Sequence, residues 1–303
     1  MSEKRVYELV DLLNFYREEY YNKSEPSVSD MVYDDLFDEL SKLEKITGLY
    51  LPNSPTQSVG YEVENGFDMV MHSAPILSLE KTKSTDKVVD FIDSQDVLFM
   101  HKIDGITLII EYKNGELISA STRGNGYEGR DVTNNVYNII DVPIKIPYKK
   151  HLVVVGEGYV KTDDFYKMKD LFLDSKGKSY IDARNFASSC IQCKDEMICM
   201  KHGIRFAAFA IQEGLNEEAE IEKSKELKLN VLESFGFVVC DFISIQQVKT
   251  KENVDKYIKD LRISAQTKNI PVDGIVVTYN SIPYSVSQGR TLHHYNDSIA
   301  YKF

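Results

Sequence analysis

The chain predicts an α+β protein, a small helical domain followed by a mostly antiparallel sheet domain. Three observations carry this. Apolar residues recur at helical spacing over the first fifty or so positions. Farther on, short apolar runs end in glycine, asparagine or aspartate, as strands do. Asn114-Gly115, the strongest short hairpin signal, stands between two of those runs.

In order, Val6, Leu9, Val10, Leu13, Tyr16 and Tyr20 mark a first helix, which Ser24-Glu25-Pro26-Ser27 interrupts. Ser29 or Asp30 is suited to cap a second helix through Leu36, Phe37, Leu40 and Leu43, ending at Gly48. Leu51 to Gly60 reads as a loop with two prolines, and a domain boundary is expected near residue 68, giving domains of 1–68 and 69–303. Leu98-Phe99-Met100 reads as a buried strand. Gly105 to Tyr112 and Leu117 to Thr122 are the two arms of the Asn114-Gly115 hairpin. Leu152 to Val155 is a strand expected to end at Gly156-Glu157. Arg205 to Ile211 and Gly274 to Tyr279 are strand-like. Thr162 to Ser175 and Glu218 to Phe235 are expected helices.

Composition narrows the functional classes. A chain of 303 residues with 43% hydrophobic and 27% charged residues suits a globular protein of two domains. It has no apolar run of membrane-spanning length and no signal-peptide core, so no membrane role and a cytoplasmic location are expected. The net charge of −11 is the wrong sign for gripping nucleic acid alone, because phosphate neutralisation dominates nonspecific affinity. Cys190-x-x-Cys193 is half of a zinc pattern, but counting cysteines finds no second close pair, and reduced thiols are expected. No metal-binding residue is named.

The chemistry centres on Lys102-Ile103-Asp104-Gly105. Alone it reads as a surface lysine before an Asp-Gly turn. An ordered series follows it: Ser121-Thr122-Arg123-Gly124-Asn125-Gly126, Gly129 to Asn135, Val155-Gly156-Glu157-Gly158, Ala183-Arg184-Asn185, Val272-Asp273-Gly274-Ile275-Val276-Val277, and Ser298 to Phe303. In this order and spacing the segments resemble the adenylation domain of NAD-dependent DNA ligases, over nearly the whole chain. The resemblance implies a nucleotidyltransferase fold of the ATP-grasp-like ligase type. It also implies a lysine nucleophile that takes AMP from NAD, with Mg²⁺ screening phosphate charge.

Carried over by position, Lys102 is the nucleophile and Lys302 contacts the AMP phosphate. A lysine attacks phosphorus only as the neutral amine, and at a pKa of about 10.4 only roughly one in a thousand is neutral near pH 7.4. Burial, or Lys302 as a neighbouring cation, is therefore expected to lower the pKa of Lys102. Asp104 is expected to orient ribose or lysine, Gly105 to permit a turn too tight for a Cβ, and Arg123 to hold a ribose or phosphate oxygen. Glu157 matches a ribose-contacting glutamate and Asp273 an acidic residue opening an apolar strand. Phe209 matches the adenine-stacking aromatic and equally suits a core, while Ser78 and Leu79 match positions near adenine. Tyr20, Tyr21, Asp30, Tyr33 and Asp34 match the nicotinamide-mononucleotide (NMN) pocket. There two carboxylates at i and i+4 and aromatic faces suit a pyridinium ring.

The pattern also departs from the family. Met100 replaces an adenine-reading glutamate, and Thr278 replaces a lysine expected to help hold the phosphate. Val155 and Gln192 replace arginines, Asn125 an aspartate and Arg130 a glutamate. Arg290, His293 and His294 are offered as replacements for the missing positive charge.

In the family, DNA-binding domains follow. Nicked duplex DNA is therefore the expected partner, reached through further C-terminal domains or a second subunit. Two other readings stay open. One is an ATP-dependent ligase or capping-type nucleotidyltransferase, against which the Tyr20 to Asp34 region argues. The other is a non-catalytic nucleotide-binding subunit of a split ligase.

Overall fold

The structure, a computed structural model, describes residues 2–19, 27–28, 30–57, 68–173, 177–195, 197–246 and 250–303. The chain divides into two compact units, Met1–Pro75 with Gly124–Gly129, and Ile76–Arg123 with Arg130–Phe303.

The first unit is built on α1 (Ser2–Glu18) and α2 (Asp30–Thr47). Val6, Leu9, Val10 and Leu13 of α1 meet Leu40 of α2 in a dry seam, and all five are fully buried. Each such side chain contributes roughly 1.5–3 kcal/mol relative to exposure. Arg5 donates two hydrogen bonds to the Glu39 carboxylate, at 2.8 and 3.0 Å, closing the hairpin on one side. Gly48 stops α2 at φ +70°, a value that favours glycine. β1 (Met69–Met71) completes the unit.

The second unit contains two sheets. β2 (Ser78–Thr82) and α3 (Thr85–Ile92) precede β3 (Val97–Ile103). β4 (Ile106–Lys113) and β5 (Glu116–Thr122) form the expected hairpin, with Asn114 and Gly115 at φ +55° and +80°. Positive φ at both turn residues matches the right-handed twist of paired strands. β6 (Glu128–Arg130), whose Glu128 and Gly129 belong to the first unit, pairs with β1 there; α4 (Thr133–Val136) and β7 (Leu152–Tyr159) follow in the second. β7 runs through Gly156-Glu157-Gly158 instead of stopping there, because β4 and β8 flank it throughout.

α5 (Thr162–Met168) is half its expected length. The apolar side chains that follow, Leu171 and Leu173, are 74% and 53% exposed, so no buried face carries the helix on. α6 (Ala183–Ile191), α7 (Ile198–Lys201) and β8 (Arg205–Glu213) come next. The helix expected over 218–235 is two, α8 (Ala219–Lys223) and α9 (Lys225–Ser234). Ser224 between them is extended, and its side chain accepts a hydrogen bond from the Leu227 amide, so it caps the second helix. β9 (Phe242–Ile245), α10 (Lys251–Lys268), β10 (Val272–Tyr279), α11 (Ile282–Ser287) and β11 (His294–Lys302) complete the chain.

One sheet has the order β2-β11-β10-β3-β9, the other β5-β4-β7-β8, and every pairing in them is antiparallel except β11 with β2. β3 belongs to the first sheet and β4 to the second. Asp104 and Gly105 are therefore the two residues over which the chain crosses between sheets. Among the described residues no helix is long and apolar enough to cross a membrane.

Candidate active site

Lys102 is the penultimate residue of β3, where the sheets part. Residue 102 pairs with Gly274 on β10, and Gly274 pairs with Lys302 on β11. Both lysines thus flank one glycine. A Cβ on Gly274 would lie 2.2 Å from the Tyr301 carbonyl oxygen, so only glycine lets the three strands close there. Between Val272 and Gly274 the register slips, making Asp273 the extra residue of a β-bulge. A bulge re-aims its side chain, and here the carboxylate reaches both lysines. Lys102 Nζ is 3.1 Å from Asp273 Oδ1 and 3.2 Å from Oδ2, and Lys302 Nζ donates to Oδ2 at 2.5 Å.

This arrangement reverses the expectation for the nucleophile. Burial pushes the pKa of Lys102 down, but Asp273, Glu157 and Asp104 together push it up, and the net shift is upward. The resting site holds an ammonium. Asp273 is the counterpart: burial would raise its pKa, yet the two lysines hold it below the usual carboxylate range. Asp104 is raised to about 6, by burial first and then by Asp273. Glu157 is raised to about 8, mainly by burial. Thr107, its cross-strand partner, donates to Glu157 Oε2 at 3.0 Å.

Gly105 has a different use from the one expected. Its φ is not positive, but a Cβ would meet the Gly158 carbonyl oxygen at 2.2 Å. Close approach of β4 to β7 is what requires glycine.

Arg123 follows β5, donating from Nε to the Ile76 carbonyl at 3.0 Å and from Nη2 to Ser78 Oγ at 2.9 Å. Arg123 and Ser78 are therefore together, and Leu79 is the next residue of β2, half-buried. Phe209 sits where β8 slips register between Ala208 and Ala210, a second bulge. It is half-buried and packs against Ile109, Val153 and Val155 as well as the main core. Met100 is 4% exposed and core-packed.

In the first unit Tyr33 and Asp34 are half-buried on α2, and the Tyr33 ring stacks on Phe37 at 6.3 Å. Asp30 begins α2, but its side chain, like Tyr20 and Tyr21, lies outside the described residues.

Two side chains escaped assignment from sequence. Arg184 Nη1 is 3.7 Å from Asp104 Oδ1. Asp182 caps α6, accepting from the Asn185 amide at 2.7 Å, and its charge raises the pKa of Asp104. For Arg184 the signal was present in Ala183-Arg184-Asn185, a segment quoted above but given no role; Asp182 stands just before it.

Two positions weighed for positive charge lie along the strands from Lys102 and Lys302. Position 278 pairs with Leu98 and lies four residues along β10 from Gly274, roughly 13 Å. Thr278 there is buried and accepts from Lys225 Nζ at 2.6 Å. Likewise His294 begins β11, eight residues or roughly 26 Å from Lys302, and Arg290 bridges to Tyr295, seven residues or roughly 23 Å from it.

The adenylation-domain model of NAD-dependent DNA ligases matches residues 64–303, and the DNA ligase-like N-terminal NAD+-binding domain matches residues 1–60. This chain belongs to the NAD-dependent DNA ligase family. The DNA ligase of Ruminiclostridium cellulolyticum is 32% identical over 294 residues, which are 97% of this chain and 44% of that protein. That of Lachnoclostridium phytofermentans is 33% identical over 302 residues, 100% of this chain and 45% of that one. The DNA ligase of Mycoplasma genitalium is 32% identical, over 99% and 45% of the respective lengths. The chain thus spans under half the length of these ligases.

Proposed function

We propose that this chain performs the self-adenylation step of NAD-dependent DNA ligation. Lys102 Nζ, once neutral, attacks the α-phosphorus of NAD. A P–N bond forms to AMP, the bond to the NMN phosphate oxygen breaks, and NMN leaves. The observation that carries this reading is the Lys102–Asp273–Lys302 triad at the parting of two sheets. A lone surface lysine would have no second cation on the same carboxylate.

The roles divide by chemistry. Lys302 opposes charge that grows on the phosphoryl oxygens. Glu157 and Asp104 face the ribose, with Arg123, Ser78 and Leu79 on the nucleoside side. Phe209 offers its ring to adenine from the bulge. Asp273 keeps Lys102 protonated at rest, so the attack waits on loss of that proton. Tyr20, Tyr21, Asp30, Tyr33 and Asp34 take the NMN half. Mg²⁺, when bound, would be held through substrate phosphates and one or two carboxylates and would screen phosphate charge. Asp104 and Glu157 suit it, since each raises the pKa of the cluster and a cation relieves both.

The activated AMP is destined for the 5′-phosphate of nicked duplex DNA in the cytoplasm, with DNA held by further domains or a second subunit. A net charge of −11 supports that division of labour. The domains divide near residue 68. Mass spectrometry of the protein after incubation with NAD and Mg²⁺ tests the proposal. An AMP adduct on Lys102, absent from Lys102→Ala and not formed from ATP, is expected; no adduct would reject it.

A further inference from the structure

The sheet face that carries Lys102 has another ammonium at its far end. Residues opposite one another on antiparallel strands share a face, and alternate residues return to it. Gly274, Val276 and Thr278 of β10 therefore stand on the face of Lys102 and Lys302. The row next to the lysines is Met100, Val276 and Ala300, with no hydrogen-bonding side chain. Thr278 and Ser298 belong to the row beyond it. From Gly274 to Tyr279 every residue of β10 is buried except Val276, which is half-buried. The apolar step between the two polar ends is thus the open one.

Lys225, the first residue of α9, reaches into that far row. Its Nζ donates to Thr278 Oγ1 and to Asp297 Oδ2, both at 2.6 Å. Thr278 is one of the departures noted from the family, a threonine for a lysine, and the ammonium beside it comes from a helix instead. The Thr278 hydroxyl itself is fully engaged. It donates to the Asp297 carbonyl at 3.2 Å and accepts from Lys225 and from Ser298 Oγ, 2.8 Å away. An ammonium has three protons to donate. Among the described residues two of those on Lys225 have acceptors, which leaves one for a ligand.

We propose that Lys225 reads the adenine of NAD, donating to N1, the ring nitrogen farthest from the ribose. This rests on the adenylation reading, which sets the α-phosphate at Lys102 and Lys302. Four residues of strand, roughly 13 Å, separate Gly274 from Thr278. AMP with its phosphate at the near end is of comparable length. The base then covers Val276, and its outer edge meets Lys225. Asp297 holds the ammonium in place, so the contact is charge-assisted and pre-ordered. It also selects: guanine and hypoxanthine carry a proton at N1, where adenine offers a lone pair.

Calorimetric titration of the whole chain with AMP and with 1-deaza-AMP, in which N1 is replaced by C–H, tests this. The parent should bind AMP at least about tenfold more tightly, the scale of a hydrogen bond to a charged group. Lys225→Met, checked for folding by circular dichroism, should lose that preference and bind both as weakly as the parent binds 1-deaza-AMP. Lys225→Met/Asp297→Asn leaves no uncompensated charge, and it should behave the same if the single variant does not fold. A lysine with only a structural role would weaken both ligands equally and preserve their ratio. That result, or a parent that binds the two alike, would overturn the proposal. A parent that keeps the preference yet forms no adduct with NAD would reject the adenylation step and uphold this contact. A chain that binds no AMP would overturn both.

Discussion

Lys102 and Lys302 share the carboxylate of Asp273, which lies 3.1 Å from one ammonium and 2.5 Å from the other. The proposed nucleophile is therefore stored as a cation. Its release is tied to whatever draws Asp273 away or neutralises it.

Asp273→Asn removes the charge that most raises Lys102. Because the reactive form is the neutral amine, adenylation rises with pH up to the lysine pKa. Lowering that pKa moves the rising limb to lower pH, by at least about one unit. Single-turnover AMP transfer across a pH series measures this. A limb left in place would mean that Asp273 does not hold the proton.

Glu157 makes the fold pH-sensitive. Its folded pKa of about 8 lies above the ordinary 4.5, so the folded chain binds this proton more tightly than the unfolded chain. Stability from this group is full below about pH 4.5 and drains away as pH rises toward about 8. Glu157→Gln should thus match the parent in acid and exceed it by ~1–3 kcal/mol at about pH 8. Urea unfolding at both ends of that window is the measurement, and a gain that does not grow with pH would contradict it.

Gly105→Ala places a methyl group 2.2 Å from a backbone carbonyl that cannot rotate away. β4 must then separate from β7 beside Lys102. A cost of at least about 3 kcal/mol is expected, with adenylation falling further than the melting temperature alone explains. Thermal melts read alongside adduct yield would show whether the two losses part.

Alanine at Arg290, His293 and His294 together should leave AMP transfer within about twofold, since His294 is roughly 26 Å along β11 from Lys302 and Arg290 bridges to Tyr295, roughly 23 Å from it. A larger loss in a folded triple variant would mean that the far end of β11 reaches the phosphate.

Much of this was readable from residues. The Asn114-Gly115 turn declared its hairpin because both φ values suit those two residues. The α1 seam followed its 3.6-residue spacing. What escaped depended on partners distant in sequence. β7 continues past Val155 only because β4 and β8 accept it. Ser224 reads as a mid-helix serine until its cap onto Leu227 breaks the helix. α10 was missed although Thr250 caps it and Val254, Ile258, Leu261 and Ala265 line its buried face. The pair Lys102–Asp273, 171 residues apart in sequence, could be matched to a family but not given a sign for its pKa. That sign depends on three carboxylates converging on one amine.

The slip at Asp273 also fixes what a deletion would do. Without that residue Val272 would still face Ile103 and Gly274 would still face Lys102, now as a plain one-for-one ladder. The strand would keep its register and its glycine beside Lys102, while both lysines would lose the carboxylate between them. The irregularity thus serves the mouth of β10 and not the hold of the sheet.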